Sequence, residues 1–76
     1  MNYLVIELQT TNGVTANIVT QYNNLAEAKQ KFYLVCSSAV VSSVDIHAVV
    51  LTDDCGFVMM NECFKHTTEE ETNNET

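Results

Sequence analysis

Positive charge is nearly missing from this chain. Lys29, Lys31 and Lys65 are its only fixed cations, against ten carboxylates, and the formal net charge is −7 over 76 residues. A nucleic-acid binder should carry a basic surface, so direct nucleic-acid binding is not expected. Glycine is scarce too. With only Gly13 and Gly56, no glycine-rich loop is available to cradle a phosphate. The three cysteines, Cys36, Cys55 and Cys63, are odd in number and unpaired in spacing, which argues against a disulfide framework. Cys36 and Cys63 read as small buried apolar side chains. No apolar run approaches the length of a membrane span. No basic start with an apolar run and cleavage site is present, so no signal peptide is expected. The expected setting is a reduced cytoplasm.

The acidity is unevenly placed. Residues 67–76, TTEEETNNET, hold Glu69, Glu70, Glu71 and Glu75. Without them, six acids face three lysines, so residues 1–66 carry about −3 by the same count. The division expected is a single domain over 1–66 and an acidic, disordered tail over 67–76. A domain this small buries only about 60% of its unfolded surface, so oligomerisation is a natural source of added stability.

The chain is organised around one helix. Leu25, Ala28, Phe32, Val35, Cys36, Ala39 and Val40 fall on one stripe at helical spacing. Asn24 is placed to cap the first turn, and Glu27 suits its positive end. The helix is expected to end near Val41, where β-branched residues and the Ser42-Ser43 pair weaken it.

Strand patterns flank the helix. In YLVIELQ, Leu4, Ile6 and Leu8 alternate with Tyr3, Val5, Glu7 and Gln9. Thr11-Asn12-Gly13 signals a turn. A three-residue loop would set Leu8 opposite Ala16 and Ile6 opposite Ile18, joining apolar residues on one face. Residues 44–52 form a third strand, and Phe57 to Lys65 a fourth, around the turn Asp53-Asp54-Cys55-Gly56. With Thr52 opposite Phe57, Val50 meets Met59, Ile46 meets Cys63, Val49 meets Met60, Leu51 meets Val58 and Asp45 meets Phe64. His47 then faces Glu62 as a possible polar pair.

The predicted fold is α+β, in the order β-β-α-β-β, a four-stranded, mainly antiparallel sheet with one helix packed on one face. Leu4, Ile6, Leu8, Ile18, Val44, Ile46, Val50 and Met59 are expected beneath the helix. One helix cannot cover both faces. Val49, Leu51, Val58, Met60 and Phe64, with Val5, would lie on the other, and the first five are predicted as an interface, with Leu34 and Val41 of the helix adding a second contact. A homo-oligomer is the expected user of that face.

Catalytic signals are sparse. His47 with Glu62 resembles a general base and its carboxylate, but no nucleophile spacing accompanies it. Cys63 and His66 sit three apart on a strand and so point to opposite faces, which disfavours zinc. Asp53-Asp54 is too short for a calcium loop. No catalytic residue, metal site or cofactor is expected.

The segments YLVIELQT, NIVT, VSSVDIHAVVL and ECFKH resemble a family of very short proteins, without established activity, encoded by phages and prophages of Gram-positive bacteria. The likeness spans residues 1–66 and consists of strand patterns. It implies a phage setting and no site residues. The expectation is a non-enzymatic, oligomeric binding protein that inhibits an anti-phage defence system, by blocking a host protein or sequestering a signalling nucleotide. A phage structural or assembly accessory is the alternative, and a small His-based or metal-dependent enzyme the third reading.

Overall fold

A computed structural model describes residues 1–66; the predicted acidic tail lies outside the described residues. The elements are β1 (Tyr3–Thr11), β2 (Val14–Tyr22), α1 (Leu25–Ala39), β3 (Ile46–Asp53) and β4 (Val58–Lys65). The fold is α+β in the predicted order, one antiparallel four-stranded sheet with strand order β2-β1-β3-β4. The two hairpins meet through β1 and β3, which pair antiparallel from Tyr3↔Asp53 to Thr10↔Ile46. The connection through α1 therefore carries the chain from β2, over β1, to β3.

α1 starts as its sequence dictates. The Asn24 side chain accepts the Glu27 backbone N–H at 3.1 Å, satisfying one orphan donor of the first turn. It ends at Ala39, two residues short of the predicted Val41. Past Ala39 the chain tightens: Val41 N–H donates to Ser38 O and Ser42 N–H to Ala39 O, each three residues back. His66, at the end of β4, also donates its Nε2–H to Ala39 O at 2.9 Å. A side chain from another element thus serves where a capping glycine is missing.

The first hairpin corrects the expected register. Thr11 pairs with Val14, Leu8 with Asn17 and Ile6 with Val19, so the loop is the two-residue Asn12-Gly13. Both residues have positive φ, +54° and +81°, as the tight hairpin turn that matches strand twist requires. Apolar pairing on one face did not decide the loop; the left-handed tolerance of Asn-Gly did. Asp45 reinforces it by accepting the Asn12 N–H at 3.0 Å.

The second hairpin is also shifted. Leu51 pairs with Met60, Val50 with Asn61, Val49 with Glu62 and His47 with Phe64, and the register slips between Leu51 and Thr52. Met59 is the extra residue of this bulge, which lets Met59 and Met60 both pack against the core.

The largest correction concerns the faces. α1 covers Val5, Val49 and Leu51, each at most 1% exposed, against its own Ala28, Phe32, Val35 and Ala39. Leu4, Ile6, Leu8, Ile46 and Val50, expected in that core, occupy the opposite face and are only half-buried. Ile18 shares the helix side of the sheet, but on an edge strand the helix barely reaches, and it stays 54% exposed. Both faces of the central strands are apolar, so alternation alone could not select one. The selected face is the one whose polar residues, Glu7 and His47, satisfy each other.

Candidate functional site

Three features of the described residues have the chemistry of a site. The first is polar and almost sealed. His47 is 4% exposed. Its Nε2 lies 2.6 Å from Glu7 Oε2, and its Nδ1 lies 3.0 Å from Ser42 Oγ. Gln9 Nε2 donates to the same Glu7 oxygen at 2.9 Å. The predicted His47–Glu62 pair is not formed; Glu62 faces Val49 across the ladder. Position 47 falls under the helix, where β1 presents Glu7.

Burial pushes the Glu7 carboxyl up, but hydrogen bonds from His47 and Gln9, with the positive charge of His47 and Lys31, outweigh it and hold the pKa below its ordinary value. Ionised Glu7 can only accept, so Nε2 carries a proton. Nδ1 then accepts from the Ser42 hydroxyl when the ring is neutral, or donates to it when charged. The chain Ser42–His47–Glu7 has the residue types of a nucleophilic triad. Spacing did not reveal it, because its members come from β1, the loop after α1 and β3. The burial of the imidazole keeps a substrate from reaching the proton it would have to move. The arrangement reads as a polar tie between that loop and the sheet.

The second feature is a groove of about 530 Å³ between α1 and β4. Phe32, Tyr33 and Cys36 form one wall, and Met60, Glu62 and Phe64 the other. Burial, with the nearby Glu62 carboxylate, pushes the Cys36 thiol pKa up, so it is a poor nucleophile.

The third feature is the open face of the sheet. The register sets Leu4, Ile6 and Leu8 beside Thr52, Val50 and Ala48, with Val19 flanking Ile6 on the other side and Ile46 completing the row. Among the described residues, Lys65, at a corner beside Ile46, is the only charged side chain the register assigns to this face. A single helix on the other side leaves it uncovered. The whole face, about 25 Å along four strands about 4.8 Å apart, is roughly 480 Å²; the aliphatic rows of β1 and β3 fill about its central half, and Thr15, Asn17 and Gln21 of β2 and Asn61 of β4 make its margins polar.

The predicted interface is dispersed. Val49 and Leu51 are core residues at 0% exposure, and Met60 and Phe64 line the groove. Val58, 50% exposed and paired with Thr52, does stand at a corner of the open face, whereas Leu34 and Val41, 59% and 81% exposed, stand on α1 and after its end. On β1 and β3 the uncovered apolar face is made by the other set of alternating residues.

The cysteines are all free; of the two expected to be buried, Cys36 is half-buried and Cys63 is exposed on β4. Asp53, Asp54 and Cys55 cluster in the second turn. Asp53 Oδ1 already accepts the N–H groups of Cys55 and Phe57, and Asp54 Oδ2 that of Asn2. Those bonds are what an aspartate does in a tight turn. No helix among the described residues is long and apolar enough to cross a membrane. No protein-family model, curated protein or solved structure matches the chain. What fold and site define is a small α+β domain with a sealed polar tie on one face of its sheet and an uncovered apolar surface on the other.

Proposed function

We propose that the chain is a non-enzymatic, oligomeric binding protein that docks a protein partner on the open face of its sheet. The observation that carries this reading is that, among the described residues of an acidic chain, every carboxylate lies off this face. Glu7 and Glu62 lie on the helix side, Glu27 on α1, and Asp45, Asp53 and Asp54 in turns. Depletion of charge at the centre with polar groups at the rim is the composition of an interface.

A protein fits this face better than a signalling nucleotide does. Phosphates call for converging cations or backbone amides, whereas Lys29 and Lys31 are on α1 and Lys65 is at the far edge. The resemblance to short phage and prophage proteins gives the partner a setting, a component of an anti-phage defence system that the chain inhibits by occupying it.

The test is expression of the tagged chain in cells with an active defence system, with phage plating and affinity capture read together. The intact chain should protect the phage and retain one defence component. Ile6→Glu and Val50→Glu, which charge the open face without touching the helix-covered core, should lose both. Protection that survives both substitutions overturns the reading, and copurification with phage particles instead would make the chain a virion accessory.

A further inference from the structure

The sheet has two free edges, and they are built differently. β4 carries Glu62 and Lys65 and a bulge, devices that keep an edge from pairing with another chain. β2, VTANIVTQY, has no charge, no proline and no bulge against β1 over nine residues. Its residues from Val14 to Val19 are all exposed, so among the described residues neither α1 nor a loop shields the edge.

The direction of its backbone groups follows from the turn. A two-residue loop closes Thr11 and Val14 as a hydrogen-bonded pair, and an antiparallel ladder alternates from there. Val14, Ala16, Ile18, Thr20 and Tyr22 therefore bond to β1, while the N–H and C=O groups of Thr15, Asn17, Val19 and Gln21 point outward. Ile18 is the midpoint of the strand. We propose that two copies of the chain join antiparallel through β2 about a two-fold axis at Ile18.

This register is self-complementary. Asn17 meets Val19 of the second copy and Thr15 meets Gln21, and the reverse, so every outward group gains a partner. Ile18 meets its own symmetry mate as a non-hydrogen-bonded pair, the kind in which side chains approach most closely. Two half-exposed isoleucines cover one another with no charge nearby on either strand. α1 lies over β1 and β3, so the two helices stand roughly 19 Å apart, well beyond a helix diameter of about 10–12 Å.

The inference deepens the binding-protein reading and rests on its oligomeric part. Antiparallel pairing keeps both open faces on one side, and two four-stranded sheets become one of eight strands. The two apolar centres, each built on Leu4, Ile6, Leu8 and Val50, then lie on one side, separated by the rows Thr15, Asn17, Val19 and Gln21 of the two β2 strands, so that one partner can engage both.

Sedimentation equilibrium of the full chain from micromolar to several hundred micromolar tests it. The parent should sediment at twice 8.5 kDa. Asn17→Pro removes an outward N–H and leaves the β1 ladder its bonds; it should sediment as a single chain with an unchanged far-ultraviolet spectrum. Ile18→Lys, which sets like charges across the axis, should do the same, and decides the matter should the proline variant unfold. A parent that stays a single chain throughout, or folded variants that associate like the parent, overturns the proposal. Ile6→Glu should keep the doubled mass, so loss of partner capture in that variant reports on the open face alone.

Discussion

His47 Nε2 and Glu7 Oε2 meet at 2.6 Å although the residues are forty positions apart in sequence. The contact crosses from β3 to β1 beneath α1, and it explains which face the helix covers. Two polar groups that satisfy each other can be buried at little net penalty, whereas either alone is costly there.

That pairing has a pH signature. The folded pKa of Glu7 is depressed below its ordinary 4.5. Its contribution is therefore fully present above that value and is lost as pH falls through the folded pKa. Urea unfolding of the parent should show stability declining as pH drops below about 4.5. In Glu7→Gln the decline over the same window should be smaller. Equal declines in the two proteins would show that Glu7 contributes nothing to it.

Removing the other partner is the harsher change. His47→Ala leaves the Glu7 carboxylate beneath the helix without its imidazole. A loss of about 1–3 kcal/mol at pH 7 is expected, and Glu7→Gln in the same background should recover part of it. Additive losses on combining the two would contradict the coupling.

Gly13 stands at φ +81° with nothing within 4 Å of the position a Cβ would take. Gly13→Ala should therefore cost about 1 kcal/mol or slightly more through backbone strain alone. A thermal melt compares it with Gly13→Asn, which should be milder because asparagine tolerates the left-handed region. An unchanged midpoint in Gly13→Ala would contradict the turn geometry.

His66 closes the C-terminal end of α1 from outside the helix. His66→Ala should lower stability by about 1 kcal/mol, the worth of one hydrogen bond. Amide exchange should show faster opening of the last helical turn than of the first, which keeps its Asn24 cap.

Phe32 is 2% exposed at the centre of the core, while its neighbour Tyr33 is 58% exposed. Phe32→Ala should cost about 3–5 kcal/mol, enough to unfold a domain this small at room temperature, whereas Tyr33→Ala should remain folded by circular dichroism.

The elements, their order and the helix start were legible because each rests on local signals, namely periodicity, an N-cap asparagine and turn residues. An uncovered apolar face was legible from the surplus of aliphatic residues over what one helix can cover. Its membership was not. β1 offers Leu4, Ile6 and Leu8 on one side and Tyr3, Val5 and Glu7 on the other, and a glutamate of unknown partner reads as solvent-facing. Only the pairing of β1 with β3, which no local pattern encodes, brings His47 to Glu7 and reverses the reading. The second-hairpin register failed for a related reason: the turn sets Thr52 opposite Val58 where Phe57 was expected, and the Met59 bulge then shifts every later pair by one residue more while leaving strand propensity unchanged.

The β1–β3 ladder also sets an order of events during synthesis. Tyr3 cannot meet Asp53, nor Val5 meet Leu51, until most of the chain has left the ribosome. Before that, the first hairpin and helix have no Val49 or Leu51 to close their core, and long-range pairings of this kind form slowly. A nascent chain halted after α1 would expose Val5 and Phe32 along with an unguarded β2 edge, and so would be prone to aggregate. Completion of β3 and β4 is therefore the step that covers Val5 and Phe32.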